Sequence, residues 1–234
     1  MAEFHKLLAR LKGALERPQA APPHENHTAH AQVPVATVAH RAELASAFAS
    51  ELVDVSGHFL GNLTASEAAA RVASLARESA AKNVMIGEGV VTRMSLFSAA
   101  LEGVGCTLTK PRGLDKGQEK IRAAMIDNFA NCDIGIAEAH YAIASTGTFA
   151  VMSAEARPGS LTLLPPVSVI IVNIDRVVAN LAAALAAFGA DTIATNRVSF
   201  ITGPSRTADI EKRIVMGVHG PKKLYGAIIW PEHE

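Results

Sequence analysis

The residues best suited to chemistry in this sequence form one stretch near its end, Ile201 to Glu211. Apolar Val198 to Ile201 predicts a strand, a Gly-Pro turn follows, and Thr207 fits the N-cap of a helix. A strand that leads through small, hydroxyl-bearing residues to a helix N-terminus offers backbone N–H groups to an anion, and Arg206 adds a positive charge. The anion-binding residues expected here are Gly203, Pro204, Ser205, Arg206 and Thr207.

The same stretch has a structural interpretation, a capped connection in which Arg206 pairs with a local acid, and the residues alone leave both open. Asp209 opposes an anion unless it faces away or fixes Arg206. His219 lies between glycines one short segment later and is the titratable group placed best to serve this loop, although such a histidine is often simply exposed. Candidate catalytic residues are therefore Arg206, Asp209 and His219.

Other polar residues follow predicted strands and belong to the same expectation, since ligands of open α/β sheets bind beyond the carboxyl ends of the strands. Glu138 could act as a nucleophile or base, or could be an exposed loop acid. The Ser-Thr-Gly-Thr segment that begins at Ser145 more often closes a hairpin than supplies a nucleophile. We expect these segments to converge on a small carboxylate or phosphate. The further ligand residues expected are Glu88, Thr146, Gly147, Thr148, His219 and Gly220.

The elements that must position these residues alternate between helix and strand from Arg41 onward. Thr64 and Glu67 form an N-cap signature before the second helix. Such alternation predicts a mainly parallel sheet with helices on both faces. The predicted helices are Ala42–Leu52, Ala68–Ala80, Met94–Glu102 and Gln118–Ala130, and the strands are His58–Leu63, Asn83–Ile86, Cys106–Thr109 and Asp133–Ala137.

The alternation breaks after Ala137, where a small antiparallel addition is predicted. Two short apolar runs flank Ser145 to Gly147 and indicate a hairpin or bulged strand pair. An alanine-rich helix is predicted from Asp175 or Arg176 to Phe188. The remaining predicted strands are Leu161–Leu164, Val167–Val172, Val198–Thr202 and Leu224–Ile229. The fold class expected is therefore α/β, with a mainly parallel sheet and a small antiparallel addition.

The first part of the chain, residues 1–37, has a different character from residues 38–234, which we predict to be the α/β domain. Glu3 to Leu15 predicts an amphipathic helix. Arg17 to Thr37 is rich in proline, alanine and histidine and predicts a solvated linker. Its histidines recur every third residue, but no regular helix is expected to present them to a metal. They are His24, His27 and His30.

Composition excludes several classes of protein. The 234 residues carry a formal net charge of zero, which gives no electrostatic attraction to nucleic acid or anionic membranes. Two cysteines, Cys106 and Cys132, cannot hold a self-contained iron–sulfur cluster or a four-cysteine zinc site. The start lacks an apolar signal core, and the longest apolar run, Val177–Phe188, is too short to span a bilayer. We expect a cytoplasmic protein with no metal and no cofactor in this chain.

Four motifs, in this order, resemble the LUD-domain family, and the resemblance extends over roughly Val84 to Ile229. It implies a fold similar to sugar-phosphate isomerases and coenzyme A transferases. It also implies a role in oxidising L-lactate to pyruvate beside two iron–sulfur partner subunits, which would carry the clusters. The motifs are Ala144–Thr148, Leu163–Pro166, Thr202–Glu211 and Gly217–Pro221.

The sequence departs from the family pattern in two places. Ser145 stands where the family often carries an acid, and Ser168 where it often carries a histidine. These departures move the expectation of acid–base chemistry toward Arg206, Asp209 and His219. Two alternatives remain: a stand-alone isomerase or acyl or coenzyme A transferase, and a non-catalytic module that binds a small carboxylate. A homo-oligomer is compatible with each.

Overall fold

The structure is a computed structural model. The predicted N-terminal helix Glu3–Leu15 and nearly all of the predicted linker lie outside the described residues. The residues that the structure describes are 37–87, 89, 94–111, 119–153, 159–190, 197–208, 214–216 and 220–232.

A six-stranded sheet forms the centre of the domain, and all of its strand pairs are parallel. With strands numbered along the chain, its members are β1 His58–Leu63, β2 Asn83–Ile86, β3 Thr107–Thr109, β4 Ile134–Glu138, β7 Val167–Asn173 and β12 Lys223–Ile229. The order across the sheet is β1-β12-β7-β4-β2-β3. The predicted mainly parallel sheet is thus confirmed.

Helices cover both faces of this sheet, as the alternation predicts. They are α1 Val38–Asp54, α2 Ala65–Glu78, α3 Met94–Glu102, α4 Glu119–Ala130 and α5 Ser160–Leu163. Along β7, Val169 and Ile171 pack with the helices α2 and α3, whereas Ile170 and Val172 face α1. This alternation of buried residues is what a strand covered on both faces requires. No helix in the described part of the chain is long and apolar enough to cross a membrane.

The small addition predicted from the break in alternation is a second sheet of four strands. Its elements, with one helix, are β5 Tyr141–Ile143, β6 Thr148–Met152, β8 Val177–Val178, α6 Leu181–Ala190 and β9 Val198–Thr202. The order of the strands is β8-β5-β6-β9. The predicted hairpin is confirmed, because β5 and β6 pair antiparallel across a 3-10 turn at Ala144–Thr146. Phe149 of this sheet lies against Gly226 of β12, and helix α6 packs on the opposite face.

Two predicted elements differ from the structure. The run predicted as the strand Leu161–Leu164 is the helical turn α5. This turn rests on β4 because Gly135 has no side chain: a Cβ there would lie 2.3 Å from the carbonyl oxygen of Leu161. The helix predicted from Asp175 or Arg176 begins only at Leu181, because Val177 and Val178 pair with β5 as strand β8.

The helix predicted to begin at Thr207 is wrong. Arg206–Ala208 is a strand, β10, and pairs antiparallel with β11, Ile214–Met216. Residues 209–213 between them, with Asp209, lie outside the described residues. In the described part of the chain, the Gly203 loop therefore leads into a strand and not into a helix N-terminus, and that part of the anion-site argument fails.

The capping box predicted at the start of α2 is confirmed. The Thr64 hydroxyl accepts a hydrogen bond from the Glu67 backbone N–H, and the Glu67 carboxylate accepts one from the Thr64 backbone N–H at 2.8 Å. The bond from the Thr64 backbone, followed by one from its hydroxyl, lowers the pKa of Glu67. The N-cap signature therefore fixes the chain direction where β1 ends.

Candidate ligand-binding site

Two glycine loops meet the C-terminal end of α1. Gly147 has a left-handed φ of 58°, and a Cβ there would lie 2.3 Å from the backbone nitrogen of Leu52. Gly203 has a φ of 78°, and its Cβ would lie 2.3 Å from the carbonyl oxygen of Val55. Only glycine combines this conformation with so close an approach. The glycines of both motifs thus let their loops rest on the end of α1.

Arg206 ties the second of these loops to the same helix. Its Nη2 donates a 2.8 Å hydrogen bond to the carbonyl oxygen of Val55, the residue that follows α1. Carbonyl groups at a helix C-terminus carry partial negative charge, so a guanidinium is favoured there. A guanidinium has five N–H donors, and this contact uses one. Arg206 therefore has a structural bond to a backbone carbonyl and further donors beside Gly203.

A chain of three hydroxyls joins the two loops. The Thr148 hydroxyl oxygen lies 2.8 Å from that of Thr146 and 2.8 Å from that of Thr202. Thr148 and Thr202 face each other because β6 and β9 pair antiparallel in that register. The predicted Ser145–Thr148 segment thus lies beside the end of β9, which leads into the Gly203 loop.

A cavity of about 230 Å³ opens next to this hydroxyl chain. The backbone N–H of Ser205 donates a 3.0 Å hydrogen bond to the carbonyl of Pro221, which holds together the two segments that line one side of it. Leu163 and Phe200 line it with apolar surface and are each 44% exposed. A wall that combines hydroxyl and backbone groups with apolar surface suits a small carboxylate that carries a methyl group. The polar residues and glycines of the lining are Thr162, Thr202, Gly203, Ser205 and Gly220. The predicted ligand residues Thr146, Gly147 and Thr148 are not among the lining residues.

Glu138 does not share this cavity. In the register of the main sheet, Glu138 lies beside Ile171, whereas the cavity residue Leu224 lies beside Ser168. Three residues separate these two levels, or about 10 Å along the strands. The structure therefore does not place Glu138 at this cavity, and the role predicted for Glu138 stays a prediction. The predicted placement of the Gly203 loop at the carboxyl edge of the parallel sheet is wrong, because β9 belongs to the second sheet.

Several predicted site residues stay predictions because nothing is described of their side chains. Glu88, Asp209 and His219 lie outside the described residues, and Thr207 is described only as part of strand β10. Pro204 is buried in the loop between β9 and β10. The described part of the candidate site therefore consists of the two loops, Gly220 and the end of α1.

Two contributors were missed by reasoning from the sequence. Thr202 lines the cavity and Val55 holds Arg206, yet neither was predicted as a site residue. A signal existed for Thr202, which directly precedes the Gly-Pro turn. Its partner Thr148 is 54 positions away, and only the strand register shows that the two meet.

The two cysteines are buried in the core and suit packing. Burial raises the pKa of the Cys132 thiol from 9.0 to about 11. Burial, and then the charge of Asp133, raises the pKa of Cys106. Both thiols are therefore neutral at physiological pH. Among the described residues, no group of three histidine, cysteine or acidic side chains could hold a metal ion.

The six-stranded parallel sheet, its flanking helices and the four-stranded addition make this chain an α/β domain of defined topology. A crystal structure of a DUF162 family protein from Deinococcus radiodurans has a similar fold, with a TM-score of 0.57 and 17% sequence identity. The likeness covers 81% of this chain and 98% of that one. The profile of the LUD domain family matches residues 47–229, and the chain belongs to that family.

Curated relatives share part of the sequence. An uncharacterised protein of Neisseria meningitidis serogroup B is 31% identical over 60% of this chain and 68% of its own length. A lactate utilization protein C of Halalkalibacterium halodurans is 32% identical over 42% of this chain and 44% of its own length. The match to this lactate utilization protein C thus spans under half of that protein's length.

Proposed function

We propose that this chain is a subunit of an L-lactate utilisation system, in which lactate is oxidised to pyruvate together with iron–sulfur partner proteins. Membership of the LUD domain family and a relative named lactate utilization protein C support this proposal. The structural observation that carries it is the cavity beside Gly203, which hydroxyl-bearing residues and apolar side chains line together. Arg206 directly follows the lining residue Ser205 and bonds to the Val55 carbonyl.

The division of labour follows from the chemistry of lactate. Its oxidation to pyruvate removes two electrons and two protons, which an electron acceptor must receive. The two cysteines of this sequence are too few for the four thiolates of a cluster, and both are buried apart. We therefore assign the electron acceptor to the partner proteins and the handling of the carboxylate to this chain.

The residues around the cavity would bind such a carboxylate in one orientation. The remaining N–H donors of Arg206, beside Gly203, would bind the carboxylate oxygens. Thr202 and Ser205 would supply hydroxyl groups, and Leu163 with Phe200 would cover the methyl group. The cavity, of about 230 Å³, is large enough for a three-carbon acid.

Calorimetric titration tests the anion site, with sodium L-lactate, sodium pyruvate and a phosphorylated metabolite as ligands. Arg206→Ala should weaken binding by about 1.5–3 kcal/mol, the scale of a hydrogen bond to a charged group. Arg206→Lys should recover part of this loss, because lysine lacks the planar fork. Arg176→Ala is the matched control: Arg176 is also exposed but bonds to Tyr141.

Two results would contradict this site. If wild type and both Arg206 variants are folded and bind each ligand with equal affinity, Arg206 does not contact the ligand. Its role would then be limited to the hydrogen bond with Val55. An equal loss in Arg176→Ala would show that the effect is one of overall charge. Binding of the phosphorylated metabolite alone would redirect the proposal to a phosphate ligand.

Copurification from lactate-grown cells tests the assembly. The full chain, isolated gently, should retain cluster-bearing proteins, whereas the chain purified alone should be colourless. A cluster or flavin bound at one per chain after stringent purification would contradict the proposal. Covalent acylation of Glu138 by an acyl-coenzyme A would instead favour the transferase alternative.

A further inference from the structure

The middle hydroxyl of the threonine chain is enclosed. Thr148 is 5% exposed, and its hydroxyl oxygen lies 2.8 Å from those of Thr146 and Thr202. The carbonyl oxygen of Thr146 is a further acceptor at 3.3 Å. A hydroxyl has one proton to donate and two lone pairs that accept, so Thr148 can donate to only one of these groups at a time.

We infer that Thr148 is a positioning residue that holds the Thr202 hydroxyl at the cavity, whichever of the two hydroxyls donates the hydrogen bond between them. The same cavity therefore holds both a 2-hydroxy acid and the corresponding 2-oxo acid. This inference rests on the proposed function and names the ligand classes of that site. It follows from the position of Thr202, which lines the cavity and bonds to Thr148 behind it.

The three threonine hydroxyls can form their hydrogen bonds in two directions, which differ only in the positions of the protons. When Thr148 donates to the Thr146 carbonyl, it accepts from Thr202, which keeps lone pairs for the hydroxyl donor of a 2-hydroxy acid. When Thr148 donates to Thr202, the Thr202 proton is available to the keto oxygen or carboxylate of a 2-oxo acid. No heavy atom has to move between these arrangements.

The surroundings hold Thr148 in this role. The register of β6 and β9 sets it opposite Thr202, and the next residue back, Gly147, is seated on the backbone of α1. Threonine branches at Cβ, so few χ1 rotamers are available to each partner. A hydroxyl held in this way keeps that of Thr202 oriented before any ligand arrives, which reduces the ordering that binding requires.

A double-mutant cycle, read by calorimetric titration with sodium L-lactate and sodium pyruvate, tests the inference. Wild type should bind both acids with affinities within about tenfold of each other. Thr148→Val should weaken both by about two- to tenfold, the range of one hydrogen bond between uncharged groups. Thr148→Ser keeps the hydroxyl and should retain most of the affinity that Thr148→Val loses. The double variant with Thr202→Val should bind no more weakly than Thr202→Val alone.

Each other outcome counts against the inference. Additive losses in the double variant would show that Thr148 acts only through the general structure, while the proposed function would stand. A wild-type preference of more than about tenfold for one acid would contradict the claim that the cavity holds both acids equally well. If folded wild type binds neither acid, the proposed function fails and this inference fails with it. Thermal unfolding of every variant separates these results from loss of the fold.

Discussion

The guanidinium of Arg206 donates a 2.8 Å hydrogen bond to the carbonyl of Val55, which lies 151 positions earlier in the chain. This bond joins the loop after β9 to the end of α1, where Gly203 already approaches the same carbonyl. The arginine therefore has two separable effects. Its bond to the helix contributes to stability, whereas its other donors are the ones available to a ligand, so the two need separate measurements.

The close approach of Gly203 predicts a large cost for adding a methyl group. Gly203→Ala should lower the free energy of unfolding by more than about 3 kcal/mol, because a left-handed alanine is strained and its Cβ meets the Val55 carbonyl. Gly105→Ala is the matched control: its φ is 84°, but nothing lies within 4 Å of its Cβ. Urea unfolding of both variants should show a loss of only about 1–2 kcal/mol for Gly105→Ala. Equal losses would mean that the loop can move away from α1.

A buried hydroxyl in the main sheet predicts a gain in stability. Ser168 is fully buried, and its hydroxyl has no hydrogen-bond partner in the part of the chain that the structure describes. Ser168→Ala should raise the free energy of unfolding by up to about 1 kcal/mol, because an unbonded buried hydroxyl is unfavourable. The contrasting control is Thr162→Val, since the buried Thr162 hydroxyl donates to the Gly159 carbonyl at 3.1 Å. That variant should lose about 1 kcal/mol in the same urea titration.

Alkaline pH should destabilise the protein through Cys132. Because burial raises the pKa of its thiol from 9.0 to about 11, the unfolded chain loses this proton first as pH rises. The contribution is fully present below pH 9.0 and is lost toward about pH 11, with a magnitude of roughly 2–3 kcal/mol. Between about pH 8 and about pH 10.5, Cys132→Ala should therefore lose less stability than wild type does. Parallel losses in both proteins would contradict this pKa.

The capping box of α2 predicts that the protein loses stability as pH falls into the acid range. The bonds from Thr64 lower the pKa of Glu67, so the stabilisation is present above its ordinary value of 4.5 and is lost as pH falls through the lowered value. Thr64→Ala should destabilise by about 1 kcal/mol at neutral pH. The difference from wild type should shrink in acid by the part that the lost hydroxyl bond to Glu67 contributes, because the backbone bond to Glu67 remains in the variant. Thr37→Ala is the control, because that N-cap accepts from His40 without a reciprocal acid. Its effect should change less with acidification.

Elements with local signals were predictable from the sequence. The bounds of β2, α3 and β9 agree with the predicted Asn83–Ile86, Met94–Glu102 and Val198–Thr202. Each is an apolar run that ends at a turn residue or a polar segment, and that information lies within the run itself. The class of fold followed because strands alternate with helices of suitable length.

Elements that depend on distant partners were not predictable in the same way. Thr207 has the local signature of a helix cap, but Arg206–Ala208 pairs with Ile214–Met216, and β-branched residues on both strands favour that pairing. A prediction of the turn α5 would have required the knowledge that Gly135 lies beneath it. In the candidate site, the glycine motif was visible in the sequence, whereas its contacts with Val55 and Thr148 arise only from the assembled fold.

The seating of both glycine loops on α1 has a consequence for moving this site elsewhere. The family profile begins at residue 47, inside α1, and so includes the final turns with Leu52. The backbone at Gly147 and Gly203 packs closely against that helix end. The two loops are therefore not a portable module: a graft onto another scaffold would need to carry the last turns of α1, through Val55, with them.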